Sequence, residues 1–278
     1  MTLFTNIKSF DKSFLLKLWL SLILYQLSVC PVSAQKDTMD IKDYILIINT
    51  YTESFPWSNR LISTATNFVK DDPKLAVYTE HMNMIMIDND SILDQFKDSL
   101  FDRYGSHRPR MLLLLGNSSL ILKDDLRKMW GDIPMVLCAG KDYTGPEHYY
   151  LTKQPIPLSE RVPLAELSQS CNLTYLYANL YIHENVEMMF RTLPRMKRFI
   201  YVGDERFVNQ VNSQEIQEIL RTKHPDVHYT FLSSRDIKKT NQLIDSLNFV
   251  DPRTTGILFS SWFHKRQFAG NMMLTMIL

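Results

Sequence analysis

The sequence predicts an α/β protein of two Rossmann-like lobes, each built on a parallel sheet, with the second lobe incomplete at its C-terminal end. Three observations carry this. Apolar runs of strand length recur after residue 40, as expected for strands buried on both faces. Each is separated from the next by an amphipathic helical stripe, the pattern of parallel βαβ crossovers. The alternation runs through residues 41–145, lapses over 146–175, and restarts over 176–278. The lapse is rich in Pro, Tyr and polar residues and is expected to cross between the lobes.

The elements follow in order. Tyr44 to Ile48 is the first strand. Pro56 opens a helix on which Trp57, Leu61, Ile62, Ala65, Phe68 and Val69 share an apolar face, ended by Asp71-Asp72-Pro73. Leu75 to Tyr78 is the second strand, and Ile92, Leu93, Phe96, Leu100 and Tyr104 stripe the next helix. Met111 to Gly116 is a third strand. Ser118 or Ser119 is expected to cap a helix carrying Leu122, Leu126 and Met129 that stops at Gly131. Pro134 to Cys138 is the fourth strand. In the second lobe, Ile182, Val186, Met189, Phe190 and Leu193 mark a helix stopped by Pro194. Arg198–Gly203, Val227–Phe231 and Thr255–Ser260 read as strands, with helices through Val208–Leu220 and Leu243–Leu247. Asn271 to Leu278 reads as the start of a further helix.

The N-terminus has the three parts of a secretory signal peptide over residues 1–34. Lys8, Lys12 and Lys17 precede the apolar run Leu18–Tyr25, and Pro31-Val32-Ser33-Ala34 supplies small residues before Gln35. The run is short for a membrane span, although an uncleaved anchor stays open. These features imply the periplasm or the extracytoplasmic face of the inner membrane. Past the signal segment two cysteines remain, Cys138 and Cys171. An oxidising compartment permits their pairing, but Cys138 falls on an apolar strand, where an unpaired thiol acts as a small hydrophobe.

Composition narrows the function. A net charge of +1 gives no basic footprint for nucleic acid. The 8 glycines include no G-x-G-x-x-G or G-x-x-x-x-G-K-[ST] spacing, so dinucleotide and P-loop sites are not indicated. There is no C-x-x-C or H-E-x-x-H, and no metal or other cofactor is expected. His81, His107, His183 and Glu184 fall on different elements with no shared motif, and the chain lacks a G-x-S-x-G elbow. The expectation is a binding domain and not an enzyme.

The stretch Ile45 to Asn59, ILIINTYTESFPWSN, resembles the first strand and loop of the periplasmic sensor regions of membrane-bound histidine kinases. Those regions are similar to type I periplasmic binding proteins of the ABC-transporter substrate-binding-like family. Asn185–Pro194 followed by Arg198–Asp204, and Leu258-Phe259-Ser260-Ser261-Trp262, resemble the second lobe of that family. The likeness runs over about residues 42–265. It implies a small ligand held between two lobes whose closure is the signal. It also implies a membrane-linked partner, in a two-component signalling protein or, alternatively, in an ABC transporter. An envelope α/β enzyme is a third possibility. Relative to the family, the chain lacks the last part of the second lobe and all kinase modules.

In open parallel sheets ligands sit beyond the carboxyl ends of the strands. In the first lobe these loops hold Asn49, Thr50, Tyr51, Thr52, Glu53, Phe55 and Trp57, then Asn117, Ser118 and Ser119, then Gly140 and Lys141. In the second they hold Asp204, Glu205 and Arg206, then Ser233, Ser234 and Arg235, then Ser260, Ser261 and Trp262. The residues assigned to ligand contact are Asn49, Tyr51, Thr52, Glu53, Trp57, Asn117, Ser118, Ser119, Asp204, Arg206, Ser234, Arg235, Ser261 and Trp262. Hydroxyls, amides, some charges and aromatic faces suit a small polar ligand such as a sugar, an amino acid or a related metabolite. The helix starting near Ser118 would offer backbone N–H groups to an anion. Each residue also has a plain structural role open to it: Trp57 as core on its helix, Glu53 as a solvated charge, Ser118 and Ser119 as caps, Arg206 and Arg235 as surface charges.

Overall fold

The structure is a computed structural model that describes residues 43–233, 237–261, 263–268 and 271–276. The predicted signal segment lies outside the described residues, as do Ser234, Arg235 and Trp262. The described residues form one compact unit.

Among the described residues, two parallel sheets organise this unit. The first has five strands in the order β2-β1-β3-β4-β7: β1 Tyr44–Asn49, β2 Ala76–His81, β3 Met111–Leu115, β4 Met135–Ala139 and β7 Leu173–Tyr177. The second has three, in the order β10-β8-β9: β8 Arg198–Val202, β9 His228–Leu232 and β10 Thr255–Phe259. The α/β class with Rossmann-like parallel sheets is therefore observed. Helices α1 Pro56–Val69, α2 Asp90–Tyr104, α3 Lys123–Trp130, α6 Ile182–Thr192, α7 Phe207–Lys223 and α8 Ile237–Ser246 alternate with the strands.

The apolar runs form these strands because both faces are covered. Ile47, Leu115 and Cys138 point to one side, against Trp57, Leu61, Ile62 and Ala65 of α1. Leu46, Ile48, Leu112, Leu114 and Leu137 alternate with them and are fully buried. In the second sheet, Phe199 and Tyr201 pack with Ile182, Val186, Ile216 and Leu220, while Ile200 and Val202 face Leu243 and Ile244.

Several expectations change. Leu173–Tyr177 pairs in parallel with β4, Cys138 opposite Leu176. The first lobe therefore continues to Tyr177 and does not end at 145. The segment expected to cross between lobes holds α4 Glu147–Thr152, α5 Leu164–Ser170 and the two-residue strands β5 Tyr143–Thr144 and β6 Val162–Pro163, which pair antiparallel. Among the described residues the chain passes from the first sheet to the second over 178–181. Phe68 is 90% exposed, since the inward-facing position in the last turn of α1 is taken by Val69, which is buried. Neither Ser118 nor Ser119 caps a helix. A 3-10 turn, Asn117–Leu122, follows Gly116 directly and runs into α3. Asn271–Met276 is not helical: it forms a strand, β12, antiparallel to β11 Phe263–Phe268. Cys138 and Cys171 are buried and unpaired, with the Cys171 thiol donating to the Leu167 carbonyl at 3.2 Å.

Candidate functional site

Each sheet has a topological switch point, where successive crossovers leave a central strand in opposite directions and a crevice opens beyond the strand ends. In the first sheet it lies between β1 and β3, since β2 is added on one side of β1 and β3 on the other. In the second it lies between β8 and β10. The loops at these two points meet in one cleft. Its lining takes Thr50, Tyr51, Thr52 and Phe55 after β1, Met84 and Ile85 after β2, Asn117 and Ser118 after β3, and Gly140 and Lys141 after β4. Lys153 comes from the end of α4, and Arg206, Phe207 and Val208 from the start of α7. The cavity in this cleft is about 80 Å³ and is partly open to solvent.

The first-lobe wall is held by a short set of hydrogen bonds. Thr50 donates its hydroxyl to the Leu115 carbonyl at 2.8 Å, tying the ends of β1 and β3 together. Gly116, at φ +95°, lets the chain turn there. A Cβ at this position would lie 2.3 Å from Thr50 Oγ1 and 3.2 Å from the Tyr51 ring, so only glycine fits. Tyr51 then stacks on Phe55 at 4.4 Å and meets Trp57 edge-on at 5.6 Å, forming an aromatic wall. Burial pushes the Tyr51 phenol above its ordinary value, against the opposing influence of the Arg206 charge.

Asn117 joins β3 to the loop after β4. Its Nδ2 donates to the carbonyls of Lys141 and Tyr143, both at 2.8 Å, and its Oδ1 accepts from the N–H groups of Gly140 and Lys141 at 2.9 and 3.2 Å. Lys153 clamps the loop after β2. Its ammonium donates to the carbonyls of Met84 and Ile87, both at 2.6 Å, and of Tyr150 at 3.1 Å.

The second-lobe wall is a buried polar network. Asp204 is 1% exposed. Its Oδ1 accepts from the Arg206 N–H and Nε and from Asn209 Nδ2 at 2.8–3.0 Å. Arg206 also donates to the Ser261 hydroxyl, and Ser260 and Tyr201 both donate to Asn209 Oδ1 at 2.9 Å. The network fixes the Arg206 guanidinium at the start of α7, facing the first lobe.

Among the described residues, the contacts across the cleft include three pairs. The Arg206 guanidinium lies 5.3 Å from the centroid of the Phe55 ring, a cation–π contact worth about 0.5–2 kcal/mol. Lys141 meets Glu215 of α7 at 2.7 Å. Tyr150 meets Phe207, with ring centroids 4.6 Å apart.

Of the residues assigned to ligand contact, Tyr51, Thr52, Asn117, Ser118 and Arg206 line the cleft. Asn49 does not: it is fully buried, donating to Ser58, facing His81 and accepting from the Tyr51 N–H. Glu53 is exposed. Trp57 packs into the core, and Ser119 is buried, donating to the Gly116 carbonyl. Asp204 and Ser261 stand behind the lining and position Arg206. The assignment to ligand contact omitted Thr50, Phe55, Gly140 and Lys141, which lie on the strand-end loops already named, and also Met84, Ile85, Lys153, Phe207 and Val208, which do not. Met84 and Ile85 follow the same strand-end rule, applied to β2. Phe207 and Val208 begin the helix directly after an assigned residue. Lys153 carries no local signal, since its partners at 84 and 87 are far away in sequence. Among the described residues, no three His, Cys, Asp or Glu side chains group as metal ligands, and no helix is long and apolar enough to cross a membrane.

No protein-family description matches the chain, and no curated protein matches it.

Proposed function

We propose that this chain is the extracytoplasmic small-molecule-sensing domain of a two-component signalling protein, folded like a type I periplasmic binding protein. A ligand held in the cleft would favour one arrangement of the two lobes, and that shift would pass to a membrane-linked partner. The observation that carries this reading is a cavity shared between both topological switch points, with polar groups and aromatic faces contributed from each side. A binding-driven shift needs a ligand that contacts both lobes, because only differential affinity moves an equilibrium. Phe55 and Lys141 on one wall and Arg206 and Phe207 on the other supply such contacts. The cross-lobe contacts named above are one cation–π pair, one ion pair and one ring pair. None of these is individually strong.

The test is a thermal-shift and calorimetric screen of the full chain against sugars, amino acids and small organic acids. A specific ligand raises the melting temperature with its concentration. Phe55→Ala and Phe207→Ala, one on each wall, should both weaken that ligand at least tenfold. A ligand insensitive to one of the two walls, or no ligand at all in the panel, would overturn the reading.

A further inference from the structure

The lining of the cleft is asymmetric in charge. Among the described residues it contains three cationic side chains, Lys141, Lys153 and Arg206, and no carboxylate. Lys153 spends its ammonium on main-chain carbonyls and so contributes field more than contact. Lys141 and Arg206 stand on opposite walls, each with a side chain only 12% exposed.

The two carboxylates that accompany them lie behind the lining and differ in kind. Asp204 is buried and its Oδ1 accepts from the Arg206 N–H, Arg206 Nε and Asn209 Nδ2, which ties it to Arg206. Glu215 is 41% exposed and can turn to water when another anion takes its place on Lys141. The remaining walls are apolar: Phe55, Met84, Ile85, Phe207 and Val208. A zwitterionic amino acid would bring an ammonium against a lining that, among the described residues, holds two facing cations and no carboxylate of its own. A sugar would need paired amide or carboxylate partners, and the Asn117 amide is committed to the backbone. The cavity, at about 80 Å³, falls well short of the roughly 300–1,000 Å³ typical of sites for drug-sized ligands.

We propose that the ligand is a small organic monocarboxylate with a short apolar tail. Its carboxylate is held between Lys141 and Arg206, displacing Glu215, and its tail packs between Phe55 and Phe207. This rests on the ligand-binding reading above and narrows it to one chemical class.

The experiment is calorimetric titration of the full chain with butyrate and benzoate. Butyramide, 4-aminobutyrate, glucose and inorganic phosphate serve as comparisons, each change in charge or polarity isolating one feature. Butyrate or benzoate should bind, with butyramide and 4-aminobutyrate at least tenfold weaker than butyrate. Lys141→Gln should weaken the carboxylate at least tenfold. Glu215→Gln removes the competing anion and should tighten it several-fold, a gain that a merely structural ion pair would not give. Comparable binding of butyramide, 4-aminobutyrate or glucose would overturn the proposal, as would tighter binding of phosphate or a weakening by Glu215→Gln. If neither carboxylate binds but an amino acid or sugar does, and Phe207→Ala abolishes it, this proposal fails while the cleft reading stands. If none of these six compounds binds, this proposal fails, and the cleft reading falls with it only when the wider screen of sugars, amino acids and organic acids is also empty.

Discussion

Replacing Asn117 by alanine removes a side chain that is 9% exposed and makes four hydrogen bonds to main chain among the described residues. The N–H groups of Gly140 and Lys141 and the carbonyls of Lys141 and Tyr143 would all lose a partner. A net intramolecular hydrogen bond contributes about 1 kcal/mol, and a buried group left unpaired costs about 1–3 kcal/mol. Water from the cleft can reach part of this loop, so the expected loss is about 3 kcal/mol. Asn117→Asp discriminates further. It keeps the two acceptor contacts but sets a second carboxylate oxygen against two carbonyl oxygens at donor distance, so at neutral pH it should destabilise at least as much as alanine. The assay is urea unfolding followed by circular dichroism, comparing midpoints at unchanged slope. An Asn117→Ala variant within 0.5 kcal/mol of the parent, or an Asn117→Asp variant more stable than Asn117→Ala, would refute the clamp.

Three further outcomes are expected. Gly116→Ala meets Thr50 Oγ1 at 2.3 Å in a left-handed backbone and should cost more than about 2 kcal/mol, whereas Gly131→Ala, also at positive φ but with nothing within 4 Å, should cost only about 1 kcal/mol; equal losses in urea unfolding would contradict the close packing at Gly116. Lys153→Met removes a charged donor from three buried carbonyls and should destabilise by about 3 kcal/mol, with faster amide exchange in residues 84–87; unchanged exchange there would show that the loop is held by something else. Burial raises the Tyr44 phenol from 10.0 to about 12. The unfolded chain therefore loses this proton first, so its stabilising effect is complete below about pH 10 and is lost as pH climbs through 12. Urea midpoints should fall between pH 9 and pH 11.5, and less steeply in Tyr44→Phe; a flat profile in the parent would count against it.

The first sheet was legible because its strands are continuous apolar runs, which mark burial on both faces. The exception, Leu173–Tyr177, is an edge strand on which Thr174, Leu176 and Tyr177 are exposed. Its sequence gives neither a continuous buried run nor a clean alternation, and sheet membership is decided by pairing with β4, not by local pattern. Asn271–Met276 shows the opposite difficulty. Met272, Met273 and Leu274 run together without alternation, so periodicity cannot separate a strand from the first turn of a helix. In the cleft, strand-end loops pointed to Tyr51, Thr52, Asn117, Ser118 and Arg206. Telling a lining residue from a supporting one required three dimensions. Asn49 and Asp204 are as polar as their neighbours, but their side chains turn inward to hold Tyr51 and Arg206. Asn209 sits on the buried face of α7 between Val208 and Val211 and ties the network together, a role no motif announces.

Hydrogen–deuterium exchange of the full chain, with and without the strongest binder from the organic-acid, amino-acid and sugar panel, bears most directly on the two-walled cleft. Protection should appear together at 50–55, 140–141 and 206–209, segments from both lobes that adjoin the cavity. Protection confined to one lobe, or centred away from these loops, would contradict a ligand held between them.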